Sequence, residues 1–157
     1  MALDKREKER YSRQILIPGF GVEAQQRLKD SRVLVIGAGG LGCPVLQYLA
    51  AAGVGSIGVV DNDTVSFSNL HRQILYAEHD IGALKADKAV EKIGRINSAI
   101  ELLAYPYAIS KDNAANLVQG YDILVDCTDN FASRYLINDV AVIHGLPVVY
   151  GSVHQFE

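Results

Sequence analysis

The sequence predicts an α/β protein of Rossmann-like type, with a mostly parallel sheet and helices on both faces. Three observations carry this. Short aliphatic, β-branched runs at 33–36, 57–60, 123–125 and 148–150 alternate with stretches of helical periodicity, the pattern of βαβ units. The first run leads directly into Gly37-Ala38-Gly39-Gly40-Leu41-Gly42, a G-x-G-x-x-G loop that precedes a helical stretch. The second run ends in Asp61, about 20 residues beyond that loop. With 157 residues, and ~150 per domain, the chain is expected to be a single domain over 1–157. Hydrophobic residues make up 49% and charged residues 21%, which excludes a wholly disordered chain.

Each element has its own warrant. A short polar helix is expected over the first dozen residues, and a second over 22–29, after Pro18-Gly19. Strand 33–36 leads into the glycine loop, then a helix over 45–52 that Gly53 stops. Strand 57–60 follows, and 61–84 is polar and irregular. Ala86, Ala89, Val90, Ile93 and Ile96 recur at steps of three and four and draw one apolar helix face. A strand at 100–104 precedes a helix at 111–118, with Ser110 as its expected N-cap. Strand 123–125, helix 131–143 and strand 148–150 complete the pattern.

Composition narrows the function. The net charge is −3, which lacks the basic footprint of a nucleic-acid binder, so no nucleic-acid partner is expected. Two cysteines, Cys43 and Cys127, exclude a disulfide framework and a four-cysteine zinc site built from this chain alone. They fit a reduced, cytoplasmic setting. The charged N-terminus at 4–10 is not followed by an apolar h-region, so no signal peptide is expected. Residues 33–60 carry no charge and exceed the ~20 residues of a membrane span. Glycines at 37–42 and 53–58 would break such a helix, so a strand, loop, helix and second strand are expected there instead.

The glycine loop and its acid indicate a nucleotide site. Gly37, Gly39, Gly40 and Gly42 let the backbone turn tightly and approach phosphate oxygens, and the helix N-terminus supplies unpaired N–H groups. Asp61 can accept from ribose hydroxyls. This pattern alone does not choose among NAD, FAD, SAM and ATP. The next segment does more. Asn69, Arg72 and Gln73 follow the acid closely, and Lys85 follows Gly82. A bidentate arginine and a point-charge lysine suit a longer or more reactive phosphate chain than a dinucleotide's. Asp126-Cys127-Thr128-Asp129-Asn130 lies at the carboxyl end of strand 123–125, where open parallel sheets hold their ligands. Asp129 is there either a Mg²⁺ ligand beside phosphates or a cap for the helix from 131. Asp126 is the weaker metal candidate, because it can pair locally. Cys43 and Cys127 are read as small packing residues. His71, His79, His144 and His154 lack metal-ligand spacing and are read as surface or capping residues. The Tyr105-Pro106-Tyr107 cluster is read as loop packing.

Taken together, Arg10-Tyr11-Ser12-Arg13-Gln14, the glycine loop, Asp61, Ser68-Asn69-Leu70-His71-Arg72-Gln73, Gly82 with Lys85, and Cys127-Thr128-Asp129-Asn130 resemble the MoeB/ThiF family of the ubiquitin-activating-enzyme superfamily. The matches run in the family's order from the first helix to the chain's end. The resemblance implies binding of ATP with Mg²⁺ and adenylation of the C-terminal Gly-Gly carboxylate of a small β-grasp sulfur-carrier protein, MoaD- or ThiS-like. It places that step in molybdopterin or thiamin biosynthesis. It further implies that Gly40 and its neighbours cradle phosphates and that Asp61 holds ribose. Asn69, Arg72 and Lys85 would hold the triphosphate, Asp129 would serve the metal, and Arg13 would reach into the site of a homodimer mate. Asp63, Ser68, Leu70, His71, Gln73 and Asn130 join the candidate nucleotide contacts. The family also carries two C-x-x-C pairs for structural zinc beyond the stretch matched here, so the chain is expected to be the N-terminal part of a longer protein, with zinc only in that longer form. The alternatives are an NAD(P)-dependent oxidoreductase on the same fold, which does not require Arg72, Lys85 and Asp129, and a tRNA threonylcarbamoyladenosine dehydratase of the same superfamily, whose RNA role predicts a basic surface. A non-enzymatic dimerisation or nucleotide-binding module is the third.

Overall fold

The computed structural model describes residues 2–153. Five strands form one all-parallel sheet: β1 (Arg32–Ile36), β2 (Ser56–Val60), β3 (Glu101–Tyr105), β4 (Ile123–Asp126) and β5 (Val148–Tyr150), in the order β3-β2-β1-β4-β5. The chain reverses its direction of travel across the sheet between β1 and β4, and the carboxyl ends of those two strands flank the crevice that parallel sheets use for ligands. Pairing of Ile36 with Val60 on one side and with Asp126 on the other brings the three strand ends level.

Side chains alternate across the sheet and feed two cores. Val33, Val35, Ile57 and Val59 pack with α4 (Gly42–Ala52) and α5 (Lys85–Ile96). Leu34, Ile36, Val60 and Leu124 pack with α6 (Ala114–Leu117) and α7 (Phe131–His144) on the other face. That two-faced burial explains why the strands read as continuous apolar runs. The N-terminal helices are α1 (Lys5–Arg10), α2 (Ser12–Ile15) and α3 (Gly21–Asp30). The single helix expected over the first dozen residues is thus two, broken at Tyr11, whose buried hydroxyl accepts from Asn97 at 2.8 Å. The chargeless stretch 33–60 is β1, loop, α4 and β2, and no helix among the described residues is long and apolar enough to cross a membrane.

Several boundaries sharpen. Helix α4 begins at Gly42, three residues before the apolar pattern shows it, because Pro44 is tolerated in a first turn. Gly53 ends it with φ 88°, as expected. The helix expected over 111–118 is shorter, and Ser110 is not its cap. The Asn113 Oδ1 accepts from the Ser110 N–H at 2.8 Å, which holds 111–113 in a turn and delays α6 to Ala114. The segment between β2 and α5 contains 3₁₀ turns at Phe67–Asn69 and Glu78–Asp80 and folds back on itself through a bridge between Thr64 and Leu84. Asp80 fastens it to α5: its buried carboxylate accepts from the Ala77 N–H at 2.9 Å and pairs with Lys92 at 2.8 Å.

Candidate nucleotide site

The four loop glycines divide by what their surroundings demand. A Cβ on Gly37 would lie 2.7 Å from the Cys127 carbonyl oxygen, and Gly37 has φ 98°. A Cβ on Gly42 would lie 2.0 Å from the Gly37 carbonyl oxygen. Both are therefore required by the protein's own packing. Gly39 and Gly40 are not: the atoms nearest their hypothetical Cβ positions are side chains at 3.6 Å (Gln73 Nε2) and 3.7 Å (Arg72 Cγ and Cδ). They open onto a cleft of about 970 Å³ at the carboxyl ends of the strands.

The loop is locked by the segment that follows β2. Asp61 accepts the Ala38 N–H on Oδ2 at 2.7 Å and the Asp63 N–H on Oδ1 at 2.8 Å. The Tyr76 hydroxyl donates to the Ala38 carbonyl at 2.8 Å. With Ala38 held on both sides, the N–H groups of Gly39, Gly40 and Leu41 have no backbone acceptor among the described residues. They sit ahead of α4, where unpaired donors and the helix dipole favour an anion.

Two cations flank the loop. Arg72 is exposed, crosses Gly40 with its aliphatic stem, and is steadied through Nη1 by the Ser68 carbonyl at 3.3 Å. Lys85 is only 4% exposed, and its ammonium has one partner among the described residues, Asp63 Oδ2 at 2.8 Å. A buried ammonium with two unused donors calls for further acceptors. Gln73 is 3% exposed, lines the cleft, and its Oε1 has no hydrogen-bond partner. Buried, under-bonded polar groups beside free N–H donors fit a ligand rich in phosphate oxygens and hydroxyls.

At the far wall, the Asn130 side chain accepts from the Ser133 N–H at 2.9 Å and caps α7. Asp129 is therefore released from the capping role and lies exposed in the cleft. Asp126 pairs locally: Oδ1 accepts from the Thr128 N–H and hydroxyl at 2.9 and 2.6 Å, and Arg134 Nε lies 3.4 Å from Oδ2. No group of three or more His, Cys, Asp or Glu among the described residues could hold a metal unaided. A lone exposed carboxylate fits Mg²⁺ in the mode where substrate phosphates and water supply the other ligands.

Of the candidate contacts, Gly37, Gly39, Gly40, Asp61, Asp63, Asn69, Arg72, Gln73, Lys85, Asp129 and Asn130 line the cleft. Gly42, Ser68, Leu70 and His71 do not; Gly42 packs on Gly37, and Leu70 packs against the core. Arg13 stands exposed on α2, outside the cleft of its own chain. Tyr107, Ala108 and Ile109, at the carboxyl end of β3, also line the cleft, so Tyr107 is not the loop-packing residue the sequence predicts. Their position at a strand's carboxyl end was the available signal. Tyr105 does pack as expected, its hydroxyl 3.0 Å from that of Tyr121. Burial pushes the Cys43 and Cys127 thiols up to about 11, which disfavours their thiolates and suits packing residues, Cys43 behind the loop and Cys127 in the cleft lining. His71, His79 and His144 are exposed, and His154 lies outside the described residues.

Comparison with known proteins agrees with this geometry. The chain is 49% identical over 157 residues to a sulfur carrier protein adenylyltransferase of Thermus thermophilus, matching 100% of this chain and 58% of that protein. It is 53% identical over 156 residues to the adenylyltransferase and sulfurtransferase MOCS3 of Mus musculus, and 52% identical over 156 residues to the probable adenylyltransferase/sulfurtransferase MoeZ of Mycobacterium tuberculosis. It spans 34% and 40% of those two proteins, so it corresponds to a part of each. Among solved structures, the E. coli tRNA N6-threonylcarbamoyladenosine dehydratase TcdA in complex with ATP superposes with a TM-score of 0.92 at 25% identity, covering 100% of this chain and 65% of TcdA. E. coli MccB with AMPCPP and MccA superposes with a TM-score of 0.84 at 31% identity, covering 91% of this chain and 44% of MccB. The ThiF family model matches residues 11–157, and the chain belongs to the ThiF family.

Proposed function

We propose that the protein adenylates the C-terminal carboxylate of a small β-grasp sulfur-carrier protein ending in Gly-Gly, using ATP with Mg²⁺. The observation that carries this is the cleft itself: free N–H donors at Gly39–Leu41, the fixed Asp61 carboxylate, and Arg72 and the under-bonded Lys85 all face one space. The relatives' names support the carrier as substrate.

The strand order gives the ligand a direction. With phosphates at the loop after β1 and ribose at Asp61 after β2, the base points towards Tyr107, Ala108 and Ile109 after β3. The carrier's carboxylate attacks the α-phosphorus, a new C(O)–O–P bond forms, and pyrophosphate leaves. Two anions must approach, so charge neutralisation dominates the barrier. The free loop donors stabilise the α-phosphate, while Arg72 and Lys85 take up charge growing on pyrophosphate. Asp129 would hold Mg²⁺, which would supply further neutralisation of charge on the phosphates. The substrate provides the nucleophile, which is consistent with the disfavoured thiolates of Cys43 and Cys127.

Arg13 completes the proposal. It is exposed, and Gln14 beside it donates to Gln25 at 2.8 Å and to the Ala52 carbonyl at 3.1 Å, which fixes α2 to the body. An anchored helix carrying a charge away from its own cleft suits donation to a partner's, as in a two-fold homodimer. The products would serve thiocarboxylate formation for molybdopterin or thiamin in the cytoplasm. The TcdA likeness supports a second reading, adenylation on tRNA. Pyrophosphate exchange separates them: exchange stimulated by a Gly-Gly-ended carrier, and abolished by trimming its last two residues, is expected. Exchange that responds only to tRNA would replace the carrier.

A further inference from the structure

The Tyr76 hydroxyl lies between the two parts of the cleft that would read phosphates. It donates to the Ala38 carbonyl at 2.8 Å and lies 3.3 Å from the Lys85 carbonyl, and both contacts are buried. The ring is 6% exposed, and the residue does not line the cleft. Ala38 opens the loop whose N–H groups are free, and Lys85 carries the under-bonded ammonium. Each has another tether. Asp61 holds the Ala38 N–H, and Asp63 holds both the Lys85 N–H (2.9 Å) and its ammonium. Asp61 and Asp63 link the two segments in steps, whereas among the described residues the Tyr76 hydroxyl is the one side-chain group that meets the backbone of both.

We propose that Tyr76 is a positioning residue that sets the separation of the glycine loop and Lys85, so that both meet one phosphate chain without rearrangement. The proposal rests on the ATP reading above. A phenolic proton shared between two carbonyls fixes the backbone of both segments at once, and burial raises the hydroxyl's pKa, which favours its protonated form. Preorganised donors lose less on binding than donors that must be ordered. The effect therefore belongs to ligands long enough to touch both segments.

The test is a cycle of Tyr76→Phe, Lys85→Met and the double variant, titrated with ATP and with AMP by calorimetry, alongside thermal unfolding. Tyr76→Phe keeps the ring and removes only the hydroxyl. The expected result is about a fivefold loss of ATP affinity, the weight of one ordinary hydrogen bond, with AMP affinity changed less than twofold. In the Lys85→Met background the same change should cost ATP binding less than twofold, since the lysine it positions is gone. Equal losses for ATP and AMP, losses that add across the cycle, or a Tyr76→Phe protein that fails to fold would each overturn the assignment and make Tyr76 a core residue only. Wild-type protein that ignores ATP would instead fail the nucleotide reading itself.

Discussion

The two walls of the cleft are built differently. The wall formed by the glycine loop and residues 61–85 is tied together from within. Ala38 is bonded through both of its backbone polar groups, and Lys85, Gln73 and Tyr76 are all buried. The opposite wall, from residues 128–135 and 150–153, is open. Phe131, Tyr135 and Tyr150 are 72%, 67% and 66% exposed; Tyr135 stacks on Phe131, and one side chain, Arg134, braces Phe131 and Tyr150. Its guanidinium donates to the Thr128 carbonyl at 3.2 Å and lies 5.9 Å from the Phe131 ring centre and 5.5 Å from that of Tyr150. Rigidity is concentrated where the phosphates would bind. Phosphate recognition requires donors held in place before the ligand arrives, whereas a macromolecular substrate can bring its own order to exposed aromatic surface.

That contrast can be broken most forcefully at the packing glycines. Gly42→Ala forces a Cβ to within 2.0 Å of the Gly37 carbonyl and should cost about 3 kcal/mol, lowering the thermal midpoint by roughly 6–12 °C. Gly40→Ala, by contrast, has room and should leave the midpoint within about 2 °C while weakening ATP binding, because the new methyl faces the cleft. Equal unfolding of both variants would erase the distinction between packing and ligand glycines.

Arg72→Ala comes next. The side chain is exposed and its hydrogen bonds to the Ser68 carbonyl and the His71 ring are exposed, so stability should hold while ATP affinity falls about 10–100-fold, the loss of a charge-assisted phosphate grip. A fall in thermal midpoint matching the loss of affinity would count against it.

The two buried thiols give a pH signature. Both fold with pKa values raised from 9.0 to about 11, so their contribution to stability is complete below pH 9 and declines as pH rises through 11. Thermal unfolding at pH 8 and pH 10.5 should show the midpoint falling by a few degrees, and a Cys43→Ala/Cys127→Ala protein should lose less. Rapid alkylation of either thiol at pH 8 in folded protein would contradict their burial.

The smallest effect belongs to the open wall. Phe131→Ser touches exposed surface and should leave ATP binding within twofold and stability within about 0.5 kcal/mol. Its consequence should emerge only in carrier-dependent pyrophosphate exchange. A large loss of ATP affinity would show that Phe131 itself reads nucleotide, beside Asp129 on the same wall.

The same division governs what the sequence reveals. The sheet and its helices announce themselves because burial on two faces imposes apolar runs and a 3.6-residue period, so β1, β2, β4 and α5 fall within a residue of their expected bounds. The Ser110 expectation fails because two residues, Ser110 and Asn113, compete for one helix start, and the amide side chain wins by bonding backwards. The candidate contacts follow from residue type next to the glycine loop. The depth of Gln73 and Lys85 does not, and neither does the role of Tyr76. Both depend on the aperiodic segment 61–84 closing on itself at Thr64 and Leu84 and docking onto α5 through Asp80. Tyr107 was legible in principle from its place after β3, yet the neighbouring Tyr105 does pack as a loop residue, and composition alone does not part them.

Under the proposed function, the cleft is built for a triphosphate rather than a dinucleotide. Calorimetric titration of the protein with ATP in Mg²⁺ and, separately, with NAD⁺, in wild type and Arg72→Ala, tests it most directly. ATP is expected to bind, more weakly without Mg²⁺ and in the variant, with NAD⁺ binding at least tenfold more weakly. NAD⁺ binding tighter than ATP and indifferent to Arg72 would contradict it.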